Sequence, residues 1–481
     1  MKKINLLLPV ETIDRELDYK LFLAVSLVNK NINVIVAQHD YFNSACSRFK
    51  GGVYIGKNIF KSHFPQSEIE KPINLSFYEN LKADDISLFH LDEEGGVIPG
   101  DQEGWEQGLN FRLDPGVLKE DDHVLTWGSF QRKHYASKES SLPESNFIDT
   151  GFPKLELCRP RFRYYYKKII EEIKGKYGPY ILINTNQGHA NALAGLECML
   201  KDDIEKVCFT SKDENLRLEF INRWAHQNKV LSNFIVLIHT LSIAMPDKTF
   251  VVRPHPAEDS NFYILILAGL KNVHVDKTGA VHPWIMAADL IIHDGCTTAI
   301  EAFLAEVPVV NYKSTKTEPY ELMLPNQLGI RCETIDEIMK IIRDLGEHSH
   351  SYAKKNSLIP LTMSLLKNLE MDIYDDFINV CSKLIEEKRE KNAYTGGISL
   401  ESMRLGEFVH SIMMGLRGVV RRFFPEKLIM FAVGRSHFPG FNRGSIDEKV
   451  QAIEHVVNKK VSLKHLSSRL FVITSEVDEK L

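Results

Sequence analysis

The chain has 481 residues, of which 44% are hydrophobic and 26% charged; 59 basic side chains against 64 acidic ones leave a formal net charge of −5. At ~150 residues per domain this is two or three domains, and the composition excludes a disulfide-stapled miniprotein, a collagen-like chain and a disordered chain. The charge balance argues against wholesale nucleic-acid binding, which favours basic domains.

The opening Met1–Pro9 is basic and then apolar. Its apolar run stops too early for a signal sequence and reads as a first strand, Ile4–Leu8. Leu17, Leu21, Ala24, Val25 and Val28 follow at helical spacing, then strands at Asn33–Ala37, Val53–Ile55 and Ile86–Leu91, and weaker ones at His123–Thr126 and Asn146–Ile148. Around Arg159–Lys176 the chain turns basic and helical, and the alternation restarts. Tyr180–Asn184 is a strand, Leu216–Met245 a long helix, and Lys248–Arg253, Val273–Val275, Leu290–His293 and Val307–Asn311 are strands with helices between. Two such series predict an α/β chain of two Rossmann-like domains facing each other, with ligands at the carboxyl ends of the strands. The expected limits are 1–158, a helical linker 159–178, a second Rossmann-like domain 179–390 and a helical appendage 391–481.

Seven cysteines (Cys46, Cys158, Cys198, Cys208, Cys296, Cys332, Cys381) are scattered and form no C-x-x-C pair. That is neither a disulfide framework nor a zinc pattern and suits a reducing cytoplasm. No stretch reaches the ~18 apolar residues of a membrane-spanning helix, so any membrane contact is expected to be peripheral.

Four loops after predicted strands carry candidate chemistry. Asp92-Glu93-Glu94-Gly95-Gly96 crowds three carboxylates, which raises a pKa towards that of a general base; a solvated acidic turn would look the same. Arg253-Pro254-His255-Pro256 holds a permanent cation and an imidazole between prolines that keep the backbone extended, as a site for a departing phosphate would; the alternative is a rigid turn with a structural histidine. His293-Asp294-Gly295-Cys296-Thr297-Thr298 opens a helix whose free N–H groups and hydroxyls would attract phosphate, although Thr298-x-x-Glu301 also reads as a capping box. Cys296 has only a sequence-adjacent His293 to support a nucleophilic reading. Asn184-Thr185-Asn186-Gln187-Gly188 is polar enough for a phosphate or a sugar hydroxyl. There is no G-x-G-x-x-G, P-loop, H-E-x-x-H or D-x-D, so no dinucleotide cofactor and no metal is expected.

From Arg404 to Arg435 an apolar stripe (Phe408 to Phe424) runs beside Arg417, Arg421 and Arg422, the pattern of an interfacial basic helix. A helix packed on the domains with its arginines in solvent has the same pattern.

Several motifs together resemble the bacterial surface carbohydrate biosynthesis proteins. They are Pro9-Val10-Glu11 with Arg15–Leu21, Asp92-Glu93-Glu94-Gly95, Trp127-Gly128, Thr150-Gly151-Phe152-Pro153-Lys154, Ile183-Asn184-Thr185-Asn186, Arg253-Pro254-His255-Pro256 and Thr297-Thr298 with Glu301-Ala302. The resemblance runs in order from residue 1 to about 330; beyond that only His437-Phe438-Pro439-Gly440 looks familiar. That family is similar to GT-B glycosyltransferases. Glu93-Glu94-Gly95, His255-Pro256 and Thr297-Thr298 further resemble the acidic, His-Pro and paired Ser/Thr motifs of bacterial sialyltransferases and Kdo transferases, which use CMP-activated 2-keto acid sugars.

The resemblance implies a metal-independent GT-B transferase of capsule or lipopolysaccharide synthesis. Glu93 or Glu94 would activate a glycan or lipid-linked glycan acceptor, and His255 would assist the leaving phosphate. Asn184, Asn186, Arg253, Pro256, Gly295, Thr297, Thr298 and Glu301 would hold a nucleotide-sugar donor, with Glu301 on the ribose or only capping its helix. No cofactor beyond the donor and no nucleic-acid partner is implied; the protein would be cytoplasmic, with possible inner-membrane contact through 404–435. A GT-B enzyme using an NDP-sugar or CDP-polyol, and a non-catalytic scaffold of an assembly complex, are the rival readings.

Overall fold

The computed structural model describes residues 3–45, 48–57, 75–93, 98, 100, 102–110, 112–195, 214–315, 320–353, 360–391 and 439–476. The expected interfacial helix at 404–435, and Glu94, Gly95 and Gly96, lie outside them.

Six strands of the first third, β1 (Ile4–Val10), β2 (Ile32–Gln38), β3 (Val53–Gly56), β4 (Ser87–Leu91), β5 (His123–Thr126) and β6 (Phe147–Asp149), pair in parallel in the order β2-β1-β3-β4-β5-β6. A second parallel sheet follows. It comprises β7 (Tyr180–Asn184), β8 (Thr249–Arg253), β9 (Val273–Val275), β10 (Leu290–His293), β11 (Val309–Tyr312) and β12 (Ile330–Cys332), in the order β12-β11-β10-β7-β8-β9. Helices cross between strands in both, so the chain has the two Rossmann-like α/β units expected from its periodicity. The interior strands β1 and β7 are buried at every residue, which is why they read as unbroken apolar runs and not as alternating ones.

The units are not contiguous in sequence. The first gathers Met1–Glu93, Leu109–Lys154 and Leu366–Leu481; the second gathers Glu94–Gly108 and Leu155–Leu365. The basic helix Lys167–Tyr177, expected as a linker, therefore belongs with the second unit, which ends at Leu365 rather than at 390, and the chain from Leu366 belongs with the first unit.

The expected helical appendage is corrected in part. Its described portion holds a helix, Arg443–Val457, capped by the Asn442 side chain on the Ser445 N–H and ended by Asn458 at φ +54°. Beyond it β13 (Val461–Ser467) and β14 (Leu470–Ser475) form an antiparallel hairpin, and β14 adds antiparallel to β2 with Ile473 opposite Val34. The apolar run Leu470–Ile473 is fully buried there; a strand covered on both faces is hard to tell from a buried helix turn in sequence.

This return also explains the helix Ile13–Leu27. Its sequence predicts one apolar stripe, yet Tyr19, Lys20, Phe22 and Leu23 are buried as well. The helix Tyr374–Lys391 covers one side, with Tyr374 bonded to Ser26 at 2.9 Å, and Arg443–Val457 covers another through Lys449 and Asp18 at 2.6 Å. The Thr150–Lys154 motif is a clasp for the returning chain. Asn368 accepts from the Phe152 N–H at 2.7 Å and donates to its carbonyl at 2.9 Å. Gly151 has φ +74°, and a Cβ on it would lie 2.9 Å from the Asn368 oxygen.

Inside β4, His90 is buried with neither ring nitrogen bonded among the described residues. Burial pushes its pKa down to about 4, below the ~6.5 of an unfolded chain. The unfolded state therefore binds the extra proton first, and stability is lost as pH falls from 6.5 towards 4. His90→Leu removes this term. Relative to the parent it should gain roughly 2 kcal/mol on going from pH 7.5 to 5, read from urea unfolding of the first unit; equal pH slopes in the two proteins would contradict a buried, neutral His90.

Candidate functional site

Each sheet reverses its strand order beside one interior strand, between β1 and β3 in the first and between β7 and β10 in the second. The connections on either side of a reversal run over opposite faces, leaving a crevice at the carboxyl ends of the two strands, where doubly wound folds bind ligands. The predicted site residues among those described lie in the strand-end loops of these two sheets and the helix after β10.

In the first unit, Glu11 follows β1, Lys57 follows β3 and Glu93 follows β4. The Glu16 carboxylate accepts from the Glu11 and Thr12 N–H groups at 2.7 and 3.4 Å, satisfying backbone donors ahead of the helix. Arg15 donates to Glu16 at 2.7 Å, and Lys57 pairs with Glu11 at 2.6 Å. Glu93, 3% exposed, lies with an oxygen 2.5 Å from the Lys20 ammonium. Burial, reinforced by the nearby Glu16 and Glu11 charges, drives the Glu93 pKa well above the ordinary carboxylate value against the pull of Arg15. Asp92 is engaged differently. Its carboxylate accepts from Arg112 at 3.2 Å, and its carbonyl accepts from the Trp127 indole at 2.8 Å, which accounts for the Trp127-Gly128 motif. Of the two described carboxylates in the acidic loop, Glu93 has the environment of a base and Asp92 that of a structural anchor.

In the second unit the loops after β7 and β8 are joined by Glu258. This fully buried carboxylate accepts on Oε1 from the Thr185 hydroxyl at 2.8 Å and from the N–H groups of Gln187 and His255, both at 3.1 Å. Its Oε2 accepts from the Tyr263 hydroxyl at 2.5 Å. His255 Nδ1 accepts from the Ala257 N–H at 3.2 Å, so in the neutral ring the proton sits on Nε2, which is then a donor. Pro254 is buried and Pro256 exposed at the turn. Arg253 donates to the carbonyls of Asp276, Thr278 and Gly279 and stacks on Trp284. In this geometry it fixes the 276–279 loop, a use the sequence reading had given to phosphate.

The loop after β10 is tied to the loop after β7 by Asn186, which donates to the Gly295 carbonyl at 2.8 Å. Gly295 has φ +66°, its N–H donates to Asn326 at 2.8 Å, and a Cβ on it would lie 2.9 Å from Leu322. The expected capping box is not made. Thr297, not Thr298, is the N-cap residue, and its side chain makes no capping bond. The Thr298 hydroxyl and Glu301 Oε2 are buried without a hydrogen-bond partner among the described residues, as are both side-chain polar atoms of Asn184 and Nε2 of His293. Asn184 and His293 end adjacent strands, with Ile183 opposite Ile292 one residue before. Burial pushes the His293 pKa down to about 3, so the ring is neutral, and since its Nδ1 accepts from the Cys296 N–H at 3.4 Å, Nε2 carries the proton. Burial also raises the Cys296 thiol pKa, which argues against a nucleophile. The second Glu301 oxygen lies 3.8 Å from His282, whose other nitrogen meets the Tyr166 hydroxyl at 3.3 Å.

An unmet buried polar group costs ~1–3 kcal/mol, and four residues carrying such atoms lie at the carboxyl ends of β7 and β10 and in the helix after β10. At the loops after β7 and β10 a cavity of about 160 Å³ is lined by Asn186, His226, Asp294, Gly295 and Lys313, among others. Lys313 pairs with Asp294 at 2.6 Å. Glu258, His282 and Lys313 were missed in the sequence. Glu258 stands two residues beyond Arg253–Pro256, a signal that could have been read; the other two depend on contacts distant in sequence.

No family model matches the chain, and no curated protein matches it. Similar solved structures include UDP-GlcNAc 2-epimerase from Neisseria meningitidis bound to UDP-GlcNAc, at 14% identity over 81% of this chain and 100% of that one, with a TM-score of 0.46. They also include the wall teichoic acid polymerase TagF, at 9–10% identity over 81% of this chain and 89–90% of that one, with TM-scores of 0.41–0.43 across its structures. UDP-GlcNAc 2-epimerase from Methanocaldococcus jannaschii matches at 11% over 76% and 98%, with a TM-score of 0.43. At these scores the fold rests on the two sheets themselves.

Glu258→Gln puts an amide among donors that need an acceptor. It should destabilise the second unit by about 2–4 kcal/mol, the scale of lost bonds to a charged group, and speed amide exchange at Gln187 and His255 ahead of the rest of the unit. Unchanged exchange at both amides would show that Glu258 does not hold the two loops.

Proposed function

We propose that the chain is a GT-B glycosyltransferase of bacterial surface polysaccharide synthesis. In this reading it transfers a sugar, of the CMP-activated 2-keto acid class, to a glycan acceptor. The observation that carries the reading is the group of buried, unpartnered polar atoms at the carboxyl edge of the second sheet (Asn184, His293, Thr298, Glu301), beside a histidine loop anchored by Glu258. The donor belongs there. His255 Nε2–H, with the hydroxyls of Thr297 and Thr298, meets the phosphate as the anomeric C–O bond breaks and its electron pair passes to the phosphate oxygen. The acceptor oxygen bonds to the anomeric carbon, and its proton goes to a carboxylate of the first unit, Glu93, or Glu94 outside the described residues. Asn184, Asn186 and Gly295 shape the pocket, Arg253 and Pro256 set the histidine loop, and Glu301 suits a ribose hydroxyl.

Lys313, paired with Asp294, and Arg223 line the cavity at the loops after β7 and β10; the keto-acid reading requires that one of them turn to the sugar carboxylate when the donor binds. An NDP-sugar or CDP-polyol donor would place its second phosphate where the keto-acid reading places the carboxylate. A non-catalytic scaffold gains nothing from leaving four buried polar residues unmet.

Calorimetry in EDTA should show binding of CMP and little heat with UDP; UDP heat without CMP heat would reject the CMP class. His255→Ala should lower kcat by ~10²–10⁴, the range of a positioned acid or base, with unchanged circular dichroism; near-normal turnover would return His255 to a structural role.

A further inference from the structure

The acidic loop of the first unit has a basic counterpart that the motifs do not explain. Lys20 lies in the second turn of the helix Ile13–Leu27 and is 0% exposed, although lysine is among the residues least often buried. Its ammonium donates to the Ile55 carbonyl at 3.1 Å, at the end of β3, and approaches Glu93 Oε1 at 2.5 Å. That approach is an ion-pair contact and not an aligned hydrogen bond, since Glu93 Oε1 has no hydrogen-bond partner among the described residues. Glu93 is 3% exposed, so water does little to stabilise its charge.

Of the remaining charged groups around the pair only Arg15 pulls the Glu93 pKa down, and burial with the Glu16 and Glu11 charges holds it well above the ordinary carboxylate value, so the contact with Lys20 must carry the ionised form. From the helix come Arg15 and Glu16, bonded to each other at 2.7 Å. Glu11, after β1, pairs with Lys57, after β3, at 2.6 Å. Asp92, beside Glu93, pairs with Arg112 at 3.2 Å. Each of these cations already has a carboxylate of its own, and Glu16 and Glu11 act on Glu93 as like charges. Burial also drives the Lys20 pKa down to about 7, with Glu16 opposing it and Lys57 adding to it.

We propose that Lys20 is the positioning residue of the acidic loop: its buried ammonium orients the Glu93 carboxylate at the carboxyl edge of the first sheet and keeps it ionised and able to accept a proton. The transferase reading gives this pair its use, since a base must be ionised before it meets the acceptor hydroxyl. The pair itself is tested without donor or acceptor.

Infrared difference spectra between the parent and Glu93→Gln at pH 7 read the state of Glu93. The expected loss is an ionised-carboxylate band. In a Lys20→Met background the same Glu93→Gln change should remove a protonated-carboxyl band instead, and in a Lys20→Arg background the ionised band again. Loss of a protonated-carboxyl band from the parent, or of an ionised band from the Lys20→Met protein, overturns the proposal. Should Lys20→Met fail to fold, the parent and Lys20→Arg spectra still decide it, because both must lose the ionised band. These outcomes are independent of turnover: a protein with the expected spectra and no transfer activity would count against the transferase reading alone.

Discussion

In a parallel sheet wound outward in both directions from an interior strand, the backbone around the reversal cannot close over itself. The strands on either side send their connections to opposite faces, so the carboxyl ends of β1 and β3, and of β7 and β10, open onto gaps that side chains must line. What fills these gaps decides the character of each unit. The helices, the returning carboxyl-terminal segment and the hairpin that extends the first sheet serve to bury the strands and hold the loops at these edges.

The two edges meet the problem in different ways. The first unit fills its edge with charge in balanced pairs, Arg15 with Glu16, Lys57 with Glu11, Arg112 with Asp92 and Lys20 with Glu93. Removing one partner from a buried pair leaves an uncompensated charge, which costs ~3–5 kcal/mol, so the arrangement is sensitive to its own chemistry. The second unit leaves polar atoms unmet and uses one carboxylate, Glu258, to hold the backbone around them. Its hydrogen bonds to Thr185, Gln187, His255 and Tyr263 make the loops after β7 and β8 a single body. A rigid frame with unfilled donors and acceptors suits recognition of a polar ligand, since little ordering is needed on binding.

Much of this was legible in the sequence. The first eleven parallel strands follow from short apolar runs between helical stretches, with His123–Thr126, Val273–Val275 and Leu290–His293 at their observed limits. The loops at Asn184, His255 and His293 could be singled out because each directly follows such a run. β12 has only three residues, too few for a periodic signal. The hairpin of β13 and β14 depends on pairing with β2, more than 400 residues earlier in the chain, and local pattern carries no trace of that. Lys20 is one polar residue in a helical pattern; it is buried because its ammonium turns towards the ends of β3 and β4, onto the Ile55 carbonyl and Glu93, contacts that helical spacing does not show. The Thr298-x-x-Glu301 spacing suggested a capping box, and the backbone begins the helix one residue earlier, which takes both side chains out of capping. Arg253 reads as a phosphate ligand beside His255, but three carbonyls of the 276–279 loop lie within its reach.

The central claim, that a nucleotide-sugar binds at the carboxyl edge of the second sheet with its phosphate beside His255, is tested most directly by a crystal structure of the protein with a bound cytidine nucleotide. The account predicts density for the phosphate within hydrogen-bond distance of His255 Nε2 and of the hydroxyl of Thr297 or Thr298, with Asn184, His293 or Glu301 gaining polar partners in the ligand. A nucleotide bound elsewhere, with Asn184, His293, Thr298 and Glu301 still unpartnered, would contradict it.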